Sequence, residues 1–296
     1  MLTPYVSTMS FVAHPTYLDL DDLRSGDDSG ADQTAALNDL LLMASRWADN
    51  RAGNMPLAAH QYTQNLRTSA DRYGQVKIHP DHIPFISMTS FGYGYTPTSL
   101  TTLANPSVWP EDDRNLVVTI GATGMTSWAG SLQFGTPAAG SRLYTQSVLL
   151  AGYVATVLGG AADQGDTSIT VTDPTGIVPG GEYRIWEPGS EEYVTVATTY
   201  TPAAVTVPLT PTSIPLASPL LNDHASGHDF SGMPEDLRLA VINYAVSQLM
   251  RPDTAAEDSY PDTKLDSGTR QDDPRKDASG LVAEAERIIS TYARRR

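Results

Sequence analysis

The sequence predicts an α+β protein in which a helical core carries an inserted antiparallel β-hairpin region, a small β module and an extended C-terminal helix. Apolar residues recur at helical spacing near both ends of the chain, and short β-type runs broken by Gly, Pro, Asn and Asp fill the middle. A charged stretch separates the last helix from the rest. The predicted divisions are an N-terminal helix with the β-hairpin region (1–153), the β module (154–221), the central helix (222–252), the charged stretch (253–277) and the C-terminal helix (278–296).

The first predicted helix runs from Asp32 to about Asn50. Its apolar residues recur at spacings of three and four, which gives one face for a core. The segment from Ser29 to Asp32 resembles a capping box with Asp in the usual Glu position. The core candidates on this helix are Leu37, Leu41 and Trp47.

The region from Met55 to about Tyr153 reads as short strands separated by turn residues. The segment Phe91–Tyr95 alternates Gly with aromatic residues, which favours a twisted hairpin over an aromatic binding loop. The predicted strands are Val76–His79, Phe85–Thr89, Leu116–Ile120, Leu132–Phe134 and Ser147–Leu150.

Residues 154–221 have the rhythm of a separate small barrel or sandwich. Thr167–Thr172 and Glu192–Ala197 alternate apolar with polar residues, and Tyr183–Trp186 lies between them. The Pro-rich run Pro208–Pro219 predicts an extended surface connection and no regular interior strand.

A central helix is predicted within the stretch Met233–Pro252. Pro234 suits a first helical turn, the two acidic residues after it complement the helix dipole, and Pro252 disfavours helix at the residue before it. Apolar residues cover more than one face, so this helix is either the core helix of one subunit or is shared with neighbouring subunits. Its core candidates are Leu237, Val241, Tyr244 and Leu249.

The stretch 253–277 carries eight acidic and four basic residues with few large apolar ones, which predicts a flexible acidic leash. A last helix, about 278–293, follows it and ends in the cations Arg294, Arg295 and Arg296. It either docks on a partner or folds back on the first helix. The apolar stripe of this helix consists of Leu281, Ala285, Ile288, Ile289 and Tyr292.

Composition excludes several classes of protein. A net charge of −15 argues against a protein that grips nucleic-acid phosphates, and the absence of cysteine excludes disulfides, thiolate metal sites and thiol nucleophiles. No apolar run reaches the length of a membrane span, and the N-terminus lacks the pattern of a signal peptide. We therefore expect a soluble protein made in a cytosol, with no membrane partner.

No catalytic motif, cofactor motif or metal site stands out, so we expect neither enzymatic activity nor a cofactor. The acidic residues between Asp19 and Asp28 lack the register of a calcium loop. The histidine pairs His79 with His82 and His224 with His228 lie in loops rich in Pro or Gly, where no helix face fixes their spacing.

The order of these elements resembles the head-to-tail adaptor (connector) proteins of long-tailed bacteriophages, especially the larger ones from phages of actinobacteria. Each motif is weak alone, and their order along nearly the whole chain carries the resemblance. The β module at 154–221 is an elaboration on that pattern. The segments that carry it are Ala36–Ala48, Val76–Pro84, Asn222–His224 with Gly227, Met233–Pro252 and Ala285–Arg296.

The resemblance implies a structural virion protein in the neck, between capsid and tail. Such a protein forms a ring, expected to be a dodecamer, beneath the portal protein and extends the DNA channel toward the tail. Its other partners would be a downstream stopper or tail-terminator protein and duplex DNA that passes through the lumen without sequence recognition. The stripe of the last helix, with Arg294–Arg296, would dock on the portal.

Two alternatives stay open from the sequence. The chain is a β-rich tail or receptor-binding protein whose 154–221 module grips a glycan through Tyr183, Trp186 and Tyr193, or it is a hydrolase that uses paired carboxylates. Amphipathic helices and a leash are unexpected in the first, and no motif supports the second.

Overall fold

The computed structural model describes residues 4–14, 30–71, 73–104, 106–112, 114–120, 140–202, 210–259 and 279–292, without the side chains of 30–33, 250–259 and 279. The chain divides into two compact units. Unit 1 comprises Met1–Ala58 and Tyr153–Arg296, and unit 2 comprises Ala59–Gly152.

Unit 2 is built from two antiparallel sheets, with strand orders β1-β7-β3-β4 and β2-β6-β5. Alternate side chains of their strands turn inward and form one buried cluster, which includes Val76, Leu116, Phe91 and Leu149. The predicted strand Leu132–Phe134 lies outside the described residues. The strands are β1 (His60–Ser69), β2 (Gln75–Ile78), β3 (Phe85–Thr96), β4 (Ser99–Ala104), β5 (Val108–Asp112), β6 (Asn115–Thr119) and β7 (Arg142–Ala151).

The β module of unit 1 encloses a second buried cluster, which includes Ile169, Ile185 and Phe230. Its sheets have the orders β11-β10-β13-β8 and β12-β9. The run Pro208–Pro219, predicted as an extended surface connection with no regular interior strand, contains β12, which pairs with β9 in a two-stranded sheet. The strands are β8 (Ala155–Val157), β9 (Ser168–Val171), β10 (Glu182–Trp186), β11 (Glu192–Thr195), β12 (Thr212–Pro215) and β13 (Asp229–Ser231).

Four helices of the described residues form the third buried cluster, also in unit 1. The central helix continues to Ser259, past the predicted stop at Pro252. A proline removes one backbone donor and disfavours helix at the residue before it, but neither effect forbids a helix. The helices are α1 (Thr8–Ala13), α2 (Gly30–Ala52), α3 (Glu235–Ser259) and α4 (Ser279–Tyr292).

The predicted fold class, a helical connector core with inserted β parts, is wrong. The described part of the chain is mostly β-sheet, with four small antiparallel sheets and only four helices. The physical reason is that the β runs pair with one another and close two apolar cores of their own. The helices supply only one of the three cores.

Candidate functional site

The predicted docking stripe of α4 packs inside unit 1. Ala285 and Ile289 are fully buried and Ile288 is 5% exposed, all within the cluster formed with α2 and α3. Leu281 is partly exposed. The arginines Arg294–Arg296 lie outside the described residues. The structure thus has α4 folded back on its own helices, one of the two arrangements that the sequence left open.

Polar contacts support the middle and the C-terminal end of α4 in this position. The phenol of Tyr292 donates a hydrogen bond to Oδ1 of Asp236 on α3, at 2.6 Å. Arg51 of α2 forms an ion pair of 2.5 Å with Glu286, but both side chains are about half exposed, so solvent screens it. Burial, followed by the hydrogen bond to Asp236, raises the pKa of Tyr292 above its ordinary value. Apolar burial therefore contributes most to the docking of α4.

The other predicted helix residues meet in the same core. Leu37, Leu41, Leu237 and Val241 are buried, and Leu249 packs against them. Trp47 of α2 and Tyr244 of α3 stack with ring centroids 4.0 Å apart and an interplanar angle of 9°. That stack joins α2 to α3, the two helices whose buried residues share a cluster with those of α4.

A buried ion pair, which the sequence analysis missed, joins the β module to the helices. Arg238 on α3 and Asp229 on β13 approach to 2.7 Å, with side chains 4% and 3% exposed. Asp229 also accepts from the backbone N–H of Ser7 at 2.9 Å, and Arg238 donates to the carbonyl of Tyr5 at 3.0 Å. Arg238 and Asp229 are nine residues apart but lie on a helix and a strand, and their partners Ser7 and Tyr5 are more than 200 residues away, so no local pattern could indicate the group.

A second buried polar contact fixes the N-terminal segment against α2. The phenol of Tyr5 donates a short hydrogen bond to Asp49 and accepts from the backbone N–H groups of Leu57 and Ala58. Burial, followed by the nearby charge of Asp49, raises the pKa of Tyr5 above its ordinary range. The phenol therefore stays protonated and works as a structural tie.

The two histidine pairs lie in different units, His79 and His82 in unit 2 and His224 and His228 in unit 1. His224 is fully buried between two carboxylates, with its Nδ1 2.9 Å from Glu187 and its Nε2 2.7 Å from Glu192. Among the described residues, no group of three or more histidine or acidic side chains is placed to hold a metal ion.

The three aromatic residues of the glycan-binding alternative do not form one exposed platform. Tyr183 is 6% exposed and packs on Phe230 in the core of the β module. The guanidinium groups of Arg184 and Arg238 lie 3.9 and 4.4 Å from the ring centroid of Trp186. Only Tyr193, at 60%, is widely exposed. A sugar ring needs an open aromatic face, so this arrangement does not favour a glycan site here.

Comparison with known proteins yields no relative, because no family model and no curated sequence matches the chain. Within the described ranges, no helix combines the length and the apolar character that crossing a lipid bilayer requires.

Proposed function

We propose that this protein is a structural virion protein, a head-to-tail adaptor that forms a ring beneath the portal and extends the DNA channel toward the tail. Its site of action is the neck of the virion, and it acts by assembly without catalysis or a cofactor. Its partners are the portal, further copies of itself, expected to total twelve, and a downstream stopper or tail-terminator protein. The subunits of this ring are mostly β-sheet.

The single observation that carries the proposal is the way α4 is attached. It is an amphipathic helix that packs on α2 and α3 through one apolar stripe centred on Ala285, Ile288 and Ile289. Full burial of one isoleucine contributes about 1.5–3 kcal/mol, so the two isoleucines contribute about 3–6 kcal/mol to the docked state. This stabilisation is lost when α4 leaves α2 and α3. A portal surface that buries the same stripe offsets the loss, so α4 then binds the portal in place of α2 and α3.

Charge also supports a passive conduit for DNA. Unit 2 contains five of the 19 basic and five of the 34 acidic residues, which makes it neutral. Unit 1 therefore holds the remaining 14 basic and 29 acidic residues and carries the whole net charge of −15. An acidic surface repels phosphates, so duplex DNA slides past it without sticking.

Electron microscopy of the purified protein mixed with its cognate portal rings tests the function. We expect an added ring of density on the narrow end of the portal, whose symmetry gives the number of subunits. Portals that stay undecorated while the protein remains free would defeat the adaptor function.

A cross-link tests whether α4 leaves its groove. The chain has no cysteine, so the double variant Arg51→Cys/Glu286→Cys carries the only two thiols, at positions whose native side chains touch. A short bismaleimide that joins them holds α4 on α2, and we expect the cross-linked protein to lose portal binding. The two single variants, treated with the same reagent, are the controls and should bind as wild type. Equal binding by the cross-linked protein would show that the stripe is not the docking surface.

The cross-link is a sharper test than deletion of 278–296. Deletion removes Ala285, Ile288 and Ile289 from the core of unit 1 and leaves apolar surface on α2 and α3 exposed. A loss of portal binding by the deletion variant would therefore not distinguish loss of the docking helix from damage to the remaining helices.

A further inference from the structure

The four-stranded sheet of unit 2 has an unusual composition for so acidic a protein. Its strands β1, β3, β4 and β7 contain no aspartate or glutamate, although the chain has 34 acidic residues. The two charged side chains of the sheet are Arg67 and Arg142, both exposed. No carboxylate of the described residues lies within ion-pair distance of either arginine. Among the residues that the structure describes, the sheet therefore carries positive charge without a paired carboxylate.

One side of this sheet faces the core and the other faces solvent. Leu143, Ser147 and Leu149 of β7 point to the buried cluster. Because side chains alternate along a strand, Arg142, Tyr144 and Gln146 lie on the other side. In β1, Asn65 pairs with Gln146 and Arg67 pairs with Tyr144, so these four side chains share the solvent side.

The solvent side contains a recess of about 450 Å³. The side-chain amides of Asn65 and Gln146 and the guanidinium of Arg67 line its base. Gln146 donates to Oδ1 of Asn65 at 3.2 Å, and the guanidinium of Arg67 lies 5.3 Å from the ring centroid of Tyr144. Pro97 and Leu100 form an apolar wall. The recess thus offers hydrogen-bond donors for a carboxylate beside a surface for a small apolar side chain.

Two glycines of β3 let this wall come close. A Cβ at Gly92 would lie 3.4 Å from Leu100, and a Cβ at Gly94 would overlap the carbonyl oxygen of Ser99. On β7, Gly92 pairs with Gln146 and Gly94 pairs with Tyr144. The absence of their side chains brings the β3–β4 hairpin and its Leu100 next to the polar base of the recess.

Unit 1 carries a surface with the complementary features. Leu221 is 70% exposed, and the exposed carboxylates Asp163, Asp166 and Asp223 lie in the two loops that meet beside it. The N–H of Gln164 donates to Asp223 at 2.6 Å and joins the two loops. Within the first loop, the N–H of Asp163 donates to Asp166 at 3.0 Å. The described residues place no basic side chain within ion-pair distance of these carboxylates.

We infer that the solvent side of the unit 2 sheet binds the acidic loops of unit 1 of a second copy of this chain. Leu221 enters the recess against Leu100, and Asp223 pairs with Arg67. Since different surfaces of the two copies meet, the contact is heterologous and leaves one free surface at each end for further copies. Closure of this series gives a ring, and in this respect the inference rests on the proposed function.

Two charge reversals and their mixture test the contact by sedimentation velocity at low salt. Arg67→Glu sets a carboxylate against Asp223, and Asp223→Arg sets a guanidinium against Arg67, so each variant alone should associate about tenfold or more weakly than wild type. In an equimolar mixture every contact again joins opposite charges if the two variants alternate. We therefore expect the mixture to recover the association of the wild-type chain.

Matched controls separate this effect from a change of net charge. Arg114→Glu alters an exposed turn of unit 2, and Asp39→Arg alters the exposed side of α2, so both should associate as wild type. Asp223→Arg removes the acceptor of the Gln164 N–H, and this change could unfold the loop. In that case Asp163→Arg takes its place, because the carboxylate of Asp163 accepts no hydrogen bond from the described residues.

Three sedimentation results overturn the inference. The first is wild-type protein that stays monomeric at roughly 1 mM, the concentration at which a contact of about −4 kcal/mol is half formed. The second is normal association by Arg67→Glu, and the third is a mixture that stays dissociated. Binding of short duplex DNA that Arg67→Glu alone abolishes would reassign the sheet to nucleic acid.

Portals that Arg67→Glu still decorates refute only this contact, whereas undecorated portals beside intact self-association refute only the adaptor function.

Discussion

The buried pair of Arg238 and Asp229 should be the most sensitive point of unit 1. We consider the variant Arg238→Met, which keeps most of the side-chain volume and removes the charge. Asp229 then stays buried at 3% exposure and keeps the backbone N–H of Ser7 as a hydrogen-bond donor, at 2.9 Å. The carbonyl of Tyr5 loses the donor that Arg238 supplies.

The expected loss of unfolding free energy follows from this burial. A buried ion pair that loses one partner leaves an uncompensated charge, which costs about 3–5 kcal/mol. Asp229→Asn should cost a similar amount because it leaves Arg238 without its counter-charge. The double variant leaves neither charge, so it should cost less than the sum of the single variants by about 1–3 kcal/mol.

Urea unfolding followed by tryptophan fluorescence measures these values, since Trp186 lies 4.4 Å from the guanidinium of Arg238. Arg184→Met is the matched control, because Arg184 also lies over Trp186 but its partners Glu191 and Glu235 are 35% and 61% exposed. The control should cost about 1 kcal/mol or less. The reasoning is refuted if Arg238→Met costs no more than the control, or if the two single losses simply add.

Two further variants test the account of the fold. Because burial and Asp49 raise the pKa of Tyr5, the stabilisation from that shift is complete below the ordinary value of about 10 and declines as the pH rises above it. The difference in unfolding free energy between wild type and Tyr5→Phe should therefore shrink above about pH 10, and a constant difference in pH-dependent urea titrations would contradict this. Gly94→Ala should cost about 1–3 kcal/mol by the same urea assay, because its Cβ overlaps the carbonyl oxygen of Ser99. Gly160→Ala, where a Cβ meets open space, should change little, and equal losses for the two would count against the close-approach argument.

Local patterns located several elements well. The predicted helix from Asp32 to Asn50 lies within α2, and the predicted helix 278–293 corresponds to α4 at 279–292. Helical spacing of apolar residues depends only on the local backbone, so it is readable without the fold. The same holds for the alternation in Thr167–Thr172, which contains β9.

The pairing of strands was not readable in this way, and the fold-class prediction failed there. β13, at Asp229–Ser231, lies after the predicted end of the β module at residue 221, yet it pairs with β10 and β8. Three residues are too short to give a periodic signal. The two β cores depend on which strands become neighbours, and sequence spacing does not state that.

The candidate sites divide in the same manner. The amphipathic stripe of α4 and the acidic balance of the chain are properties of composition and spacing, so the sequence alone determined them. Only the tertiary structure decided that the stripe packs on α2 and α3, that Arg238 meets Asp229, and that one sheet of unit 2 lacks acidic residues. The reason is that these features depend on which helices and strands pack or pair with one another, whereas a sequence pattern reports only the periodicity and charge of neighbours.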